Sequence, residues 1–189
     1  MYAEQSTYDW RRYGHWSTTA EKARLVAFLL WQTRDSTRVA QLKEDASYSG
    51  GDTGLALSEG FHRESAVALE LIIKAAIARQ LELQGGTPAE RVPATHDIPK
   101  LWEQAQLPAL DKADRYRLLL VRQTLMWSGR YGTPRSVKAW VKENEELRDF
   151  APPVPSGKTV VFWQPPGFGW DEFDRLYQLA RERLATLRR

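Results

Sequence analysis

Cysteine is absent from this chain, which excludes a disulfide framework and any thiolate metal site and fits a reducing compartment. Long apolar runs are missing too: none approaches the roughly 20 residues that cross a bilayer. Met1, Tyr2, Ala3, Glu4 and Gln5 lack the basic-then-apolar pattern of a signal peptide. The expectation is a cytoplasmic protein with no membrane partner. Histidine is scarce. His15, His62 and His96 are too scattered to make a metal site by spacing, and no His-x-x-x-His arrangement occurs, so no metal and no cofactor is expected. There is no internal repeat, and 189 residues suit one well-packed domain.

The charge that is present is unevenly placed. The net value is only +3. Between Asp111 and Lys138, however, seven cations (Lys112, Arg115, Arg117, Arg122, Arg130, Arg135, Lys138) face two anions (Asp111, Asp114), a local balance of +5. Such a stretch is either a solvated helix face or the footprint of a phosphate-bearing partner.

Hydrophobic periodicity predicts helices almost throughout. Thr18 and Glu21 have capping-box spacing and open a long first helix carried by Leu25, Phe28, Leu29 and Ala40. Ser47 to Gly54 is a cluster of turn formers and reads as a mobile loop. Ser58 or Glu59 then starts a helix whose stretch from Phe61 to Leu83 has almost no polar face, which places it at the centre of a bundle. Gly85 and Gly86 stop it. A short helix from about Asp97, one from about Asp111 to Trp127, one after the Thr133-Pro134 cap, and an amphipathic one from about Asp171 to Leu187 complete the series. Thr159 to Trp163 is the one strand-like run, expected to pack as an extended arm or to pair with its copy in a dimer. The expected fold is therefore all-α. Residues 1–150 form a helical bundle, and 151–189 form a Pro-rich connector, a short extended segment and a C-terminal helix packing on the bundle or on a dimer partner.

Several motifs have ordinary explanations. Ser156-Gly157-Lys158-Thr159 ends like a phosphate-binding loop, but Pro152 stands where the upstream glycine belongs. The run from Thr159 is strand-like, so the helix N-terminus that cradles phosphate is missing. Glu70 and Lys74, four apart on the apolar central helix, read first as a partly buried ion pair and second as a phosphate-holding lysine facing a cleft. Arg91 and His96 have an Arg-x4-His spacing inside a proline-containing loop, which fixes no mutual geometry. Of eight tryptophans, Trp10, Trp16, Trp163 and Trp170 lie outside the strongest helices, where they fill core edges or stack bases.

Taken together, the segment Phe61 to Ala76, the His96-Asp97-Ile98-x-x-Leu101 entry to the next helix and the Arg130-Tyr131-Gly132 element resemble the HEPN superfamily (higher eukaryotes and prokaryotes nucleotide-binding domain) over about residues 18–148. The resemblance implies a HEPN-like helical bundle that forms homodimers. Many members are metal-independent ribonucleases of toxin–antitoxin or defence systems, with an Arg-polar…His signature on the last core helix. Here Arg122-Gln123-Thr124-Leu125-Met126-Trp127 keeps the arginine and its polar neighbour but puts Trp127 where the four-residue spacing wants histidine. An indole cannot exchange a proton near neutral pH as imidazole does.

Three functional readings arise. The leading one is a non-catalytic binding or regulatory module whose groove, lined by Arg122 and Arg130 with Lys74 and Arg115, engages an RNA or nucleotide phosphate. An endoribonuclease that takes its acid–base from His62 or His96 is the enzyme alternative. The third is a structural protein-interaction module, with the basic stretch a solvated face. An antitoxin-type partner belongs to the first two readings.

Overall fold

The computed structural model describes residues 12–85, 92–128, 136–150, 153–156, 160–163 and 165–187. Chain order is α1 (Tyr13–Thr33), α2 (Arg38–Asp45), α3 (Thr53–Leu83), α4 (Ile98–Gln104), α5 (Lys112–Gln123), a π-type turn (Thr124–Ser128), α6 (Val137–Phe150), β1 (Pro153–Ser156), β2 (Val160–Trp163) and α7 (Trp170–Thr186). The architecture is an all-α bundle interrupted by one small hairpin. Among the described residues no helix is long and apolar enough to cross a membrane.

α3 is the axis of the bundle, as its all-round apolarity demands. Every residue from Ile72 to Ala78 is buried, and Leu69 and Ile73 lose all contact with solvent. Burying one such side chain contributes roughly 1.5–3 kcal/mol, so this helix supplies much of the folding free energy. α1 lies against it through Ala20, Ala23 and Ala27, whose small side chains let the two backbones approach closely. α7 covers another side with Phe173, Leu176, Tyr177, Ala180 and Leu184. α4 adds Ile98, Leu101 and Trp102, and α5 adds Leu118 and Val121. The C-terminal helix thus packs on the bundle's own central helix and shares its core. A second, smaller apolar cluster of Tyr116, Leu119 and Leu147, with Phe150 beside it, joins α5 to α6.

Helix ends obey local chemistry, and they correct three expectations. α1 starts five residues before Thr18, because the Arg12 carbonyl accepts from the amides of His15 and Trp16. Glu21 is therefore a mid-helix residue that pairs with Arg24 and Arg181 instead of closing a capping box. The helix does not reach Ala40. It stops at Thr33, where Thr33 and Ser36 offer the backbone competing hydrogen bonds: Thr33 donates to the Leu29 carbonyl and Ser36 Oγ accepts from the Arg38 amide. α3 opens at Thr53 rather than at Ser58, since Asp52, read as part of a loop, caps it by accepting from Gly54 and Leu55 at 2.7 and 3.2 Å. At its far end Gly85 adopts φ +73°, the left-handed conformation that terminates helices.

The strand-like run has a partner within its own chain. β2 pairs antiparallel with β1 of the same chain, Pro153 opposite Trp163 and Ser156 opposite Val160. Pro153 and Pro155 are two apart, so their missing N–H groups fall on one side of the strand and leave Val154 and Ser156 with donors. Of the phosphate-loop-like motif, residues 157–159 lie outside the described residues; the element that follows them is strand β2 and not a helix, which counts against a phosphate loop. Beyond it, the chain passes Phe168 and Gly169 under α1. A Cβ on Gly169 would come within 2.7 Å of the Trp31 ring, so any larger residue at this crossing would have to push that ring aside.

Candidate functional site

The sequence-predicted pair on α3 is present and deep. Lys74 Nζ donates to Glu70 Oε1 at 2.5 Å, and the two residues are 5 and 7% exposed. The Trp16 ring lies 5.6 Å from the ammonium and covers it. Burial at this depth needs a partner for each charge, and each has one. Lys74 is thereby committed to the interior and does not line an open cleft.

Glu70 has a second ligand from across the bundle. His96 Nδ1 lies 3.0 and 3.1 Å from its two carboxylate oxygens. A carboxylate only accepts, so Nδ1 is the protonated nitrogen, and in the neutral imidazole Nε2 carries the lone pair. The His96 side chain is one-third exposed while Glu70 is enclosed. A buried acid therefore orients a histidine that borders solvent.

The chain leads directly from His96 to Asp97, the residue that precedes α4, whose amide donates to Thr95 Oγ1. Asp97 Oδ1 stands 4.0 Å from Arg122 Nη1, and its other oxygen is 3.3 Å from Lys100 Nζ. Arg122 sits in the last turn of α5, where the helix dipole favours a cation. Its guanidinium grips Glu146 of α6, Nη2 to Oε2 at 2.6 Å and Nη1 to Oε1 at 3.3 Å. Two polar groups thus meet where α4 begins: Glu70 with His96, and Asp97 with Arg122 and Glu146, joined by the backbone between His96 and Asp97. Directly after Arg122, the helix widens into the π-type turn, a feature frequent at functional sites.

Protein-family models, curated proteins and solved structures were compared with the chain, and none matches.

The other candidates are dispersed. Arg115 is half exposed and lies 3.5 Å from Glu103 of α4. Arg130 lies outside the described residues, as do Arg91 and the Tyr131-Gly132 element; the side chain of Trp127 is likewise outside them. His62 is engaged elsewhere: its Nε2 is 3.3 Å from the Phe168 carbonyl, and its ring stacks on that of Phe168 at 5.9 Å between centroids. Burial lowers its pKa, against the opposing pull of the Phe168 carbonyl and of Glu59. His62 therefore fastens the segment before α7 to α3. Trp170 packs on Phe28 and Phe173, a core-edge role. Among the described residues no group of three or more acidic or histidine side chains is placed to hold a metal ion.

The +5 count overstates the free charge of the basic stretch. Arg117 donates to Asp114 at 2.7 Å and to the Gly167 carbonyl at 2.8 Å, and Arg175 of α7 also donates to Asp114. Burial pushes the Asp114 carboxyl up, but the two arginines outweigh it and hold its pKa below the usual value. Of the stretch's remaining cations, Arg122 is paired with Glu146 of α6 and Arg115 lies near Glu103 of α4. Sequence reading missed Asp97, Glu146 and the link from Glu70 to His96, because all three contacts span long separations and carry no periodic signal. The one available hint was Asp97 standing next to a singled-out histidine.

Proposed function

We propose that this protein is a HEPN-like, non-catalytic RNA- or nucleotide-binding module, working as a homodimer, in which Arg122 engages a phosphate. The observation that carries the reading is the placement of Arg122: a forked donor at a helix end, beside a π-type turn and next to the His96-Asp97 segment, already holding an oxyanion in two-point fashion. Guanidinium geometry matches phosphate as it matches carboxylate. Arg115, more exposed on the same helix, extends the basic track, and Arg130, outside the described residues, belongs to the proposed set on its place in the sequence. Lys74 drops out of the binding set because it is enclosed. An antitoxin-type partner protein in a defence setting is part of the same proposal.

One observation favours a second reading, a metal-independent endoribonuclease. Glu70 fixes His96 as carboxylates fix catalytic imidazoles, with Nε2 left as the basic nitrogen. The 2′-hydroxyl proton would pass to Nε2 as the O2′–P bond forms and the P–O5′ bond breaks, and the imidazolium would return a proton to O5′. Between the two histidines named from the sequence, this chemistry favours His96, since His62 is spent on Phe168.

A binding and cleavage assay on a mixed RNA pool decides between them, run at low and moderate salt with EDTA present and with a nucleoside triphosphate as competitor. The expected result is salt-sensitive binding without cleavage, weakened by Arg122→Ala. Competition by the triphosphate would assign the site to free nucleotides. Trp127→His is expected to introduce cleavage. Cleavage by the unaltered protein that His96→Gln abolishes would establish the second reading, and no binding to either ligand would remove both.

A further inference from the structure

The two oxygens on Arg122 belong to the protein itself. Glu146 occupies both Nη donors at 2.6 and 3.3 Å, the same pair of donors that a phosphate would use. Its side chain is 41% exposed, whereas that of Arg122 is 18% exposed, so the acid is the more solvent-exposed member of the pair. Asp97, another neighbour, is less displaceable: it stands at the head of core-packed α4 and is also held by Lys100. α6 is anchored differently. Among its described side chains Leu147 and Phe150 reach the small α5–α6 cluster and not the main core, while Val137 and Val141 are exposed.

From this arrangement we infer that Glu146 is an internal competitor for the Arg122 site, a carboxylate that holds the guanidinium in place of a phosphate and must swing away when the ligand binds. The inference rests on Arg122 being the phosphate-binding residue. It gives α6 a regulatory role, because whatever holds Glu146 near Arg122 lowers the affinity for RNA, and whatever draws α6 outward raises it.

The test compares binding of a fluorescein-labelled single-stranded RNA of mixed sequence to the full chain and to Glu146→Gln, Glu145→Gln, Arg122→Ala and the Arg122→Ala/Glu146→Gln double variant. Glu145 is the adjacent exposed carboxylate on the same helix, so it controls for the simple loss of one negative charge. Glu146→Gln is expected to bind about tenfold more tightly, the order of one charge-assisted pair partly screened by water. Glu145→Gln should stay within about twofold of the unaltered chain, consistent with a screened surface charge. The double variant should bind no better than Arg122→Ala alone. If Arg122→Ala fails to fold, Arg122→Lys serves in its place, since it keeps the charge and loses the fork. Equal affinities for Glu146→Gln and Glu145→Gln, with Arg122→Ala still weakened, would overturn the competitor role while leaving the phosphate-binding reading intact. A gain from Glu146→Gln that persists in the double variant would overturn it as well, as a general charge effect. Binding unaffected by Arg122→Ala, or absent from every variant, would overturn both.

Discussion

Lys74 and Arg122 each hold a glutamate, and the two pairs differ chiefly in depth. Lys74–Glu70 is enclosed by α1 and α3 in the main core, with His96 as the outer member. Arg122–Glu146 lies where α5 meets α6, at a small cluster of its own, with the carboxylate open to water. Depth decides what each pair can do. In the core a charge without its partner is costly, so the inner pair is a structural commitment that a ligand cannot exchange. Near the surface, water screens the pair and replaces either partner cheaply, so the outer one is free to trade carboxylate for phosphate.

The comparison breaks most visibly at Lys74. Replacing it with methionine leaves the buried Glu70 carboxylate without its cation, with His96 as its remaining hydrogen-bond partner among the described residues, and the expected loss is about 3–5 kcal/mol. For a chain of this size that corresponds to a fall in Tm on the order of 10 °C, read by calorimetry. Adding Glu70→Leu should recover most of it, since the orphaned charge is removed along with its partner. A Lys74→Met melting curve that overlays the original would show that the pair is not closed to water.

A second break, at Asp114, tests an intermediate depth. Asp114 is 5% exposed and receives Arg117 and Arg175, tying α5 to α7. Asp114→Asn should cost about 2 kcal/mol, the scale of lost charge-assisted hydrogen bonds. The sign of its pH dependence is set by its lowered pKa. Its contribution is present in full above the ordinary carboxylate range and is lost as pH falls through the lower native value. Acid melts of the variant should therefore be flatter than those of the unaltered chain at the acid end.

How far the sequence foretold these sites obeys the same division by depth. The central helix, its apolar girth and its i, i+4 ion pair were legible, because a run such as Leu69 to Ala78 has only one place to go in a small bundle. The capping role of Asp52 and the breaks around Thr33 to Thr37 were misread, since short polar residues serve helix ends and loops equally well. Arg122 was singled out by motif, but its partners were not: Asp97 and Glu146 lie 25 and 24 residues away in the chain, and nothing in local spacing tells which acid a given arginine will meet. The hairpin was half legible. The β-branched run at Val160 and Val161 announced one strand, while Pro153 and Pro155 disguised the other.

His62 should give a smaller, pH-dependent effect. Its pKa is lowered by burial, so below pH ~6.5 the unfolded chain takes up a proton that the folded one resists. Stability is therefore expected to decline as pH falls from about 7 to 5, through this group. His62→Gln, which still offers a polar atom to the Phe168 carbonyl, should shallow that decline. An unchanged pH profile would mean that the ring gains its proton without leaving Phe168.

The smallest effect on stability, and the sharpest contrast with Lys74, is expected at Glu146. Glu146→Gln removes one member of a pair that is close in distance but open to water, so the fold should lose less than about 1 kcal/mol. The change should be local as well. Because α6 meets the bundle through the α5–α6 cluster, amide exchange in α6 should quicken while that in α3 stays fixed. A uniform acceleration across both helices would place Glu146 in the global stability of the bundle and erase the distinction between the two pairs. A change confined to α6, alongside a gain in RNA affinity, would mean that the same contact which restrains this helix also withholds Arg122 from its ligand.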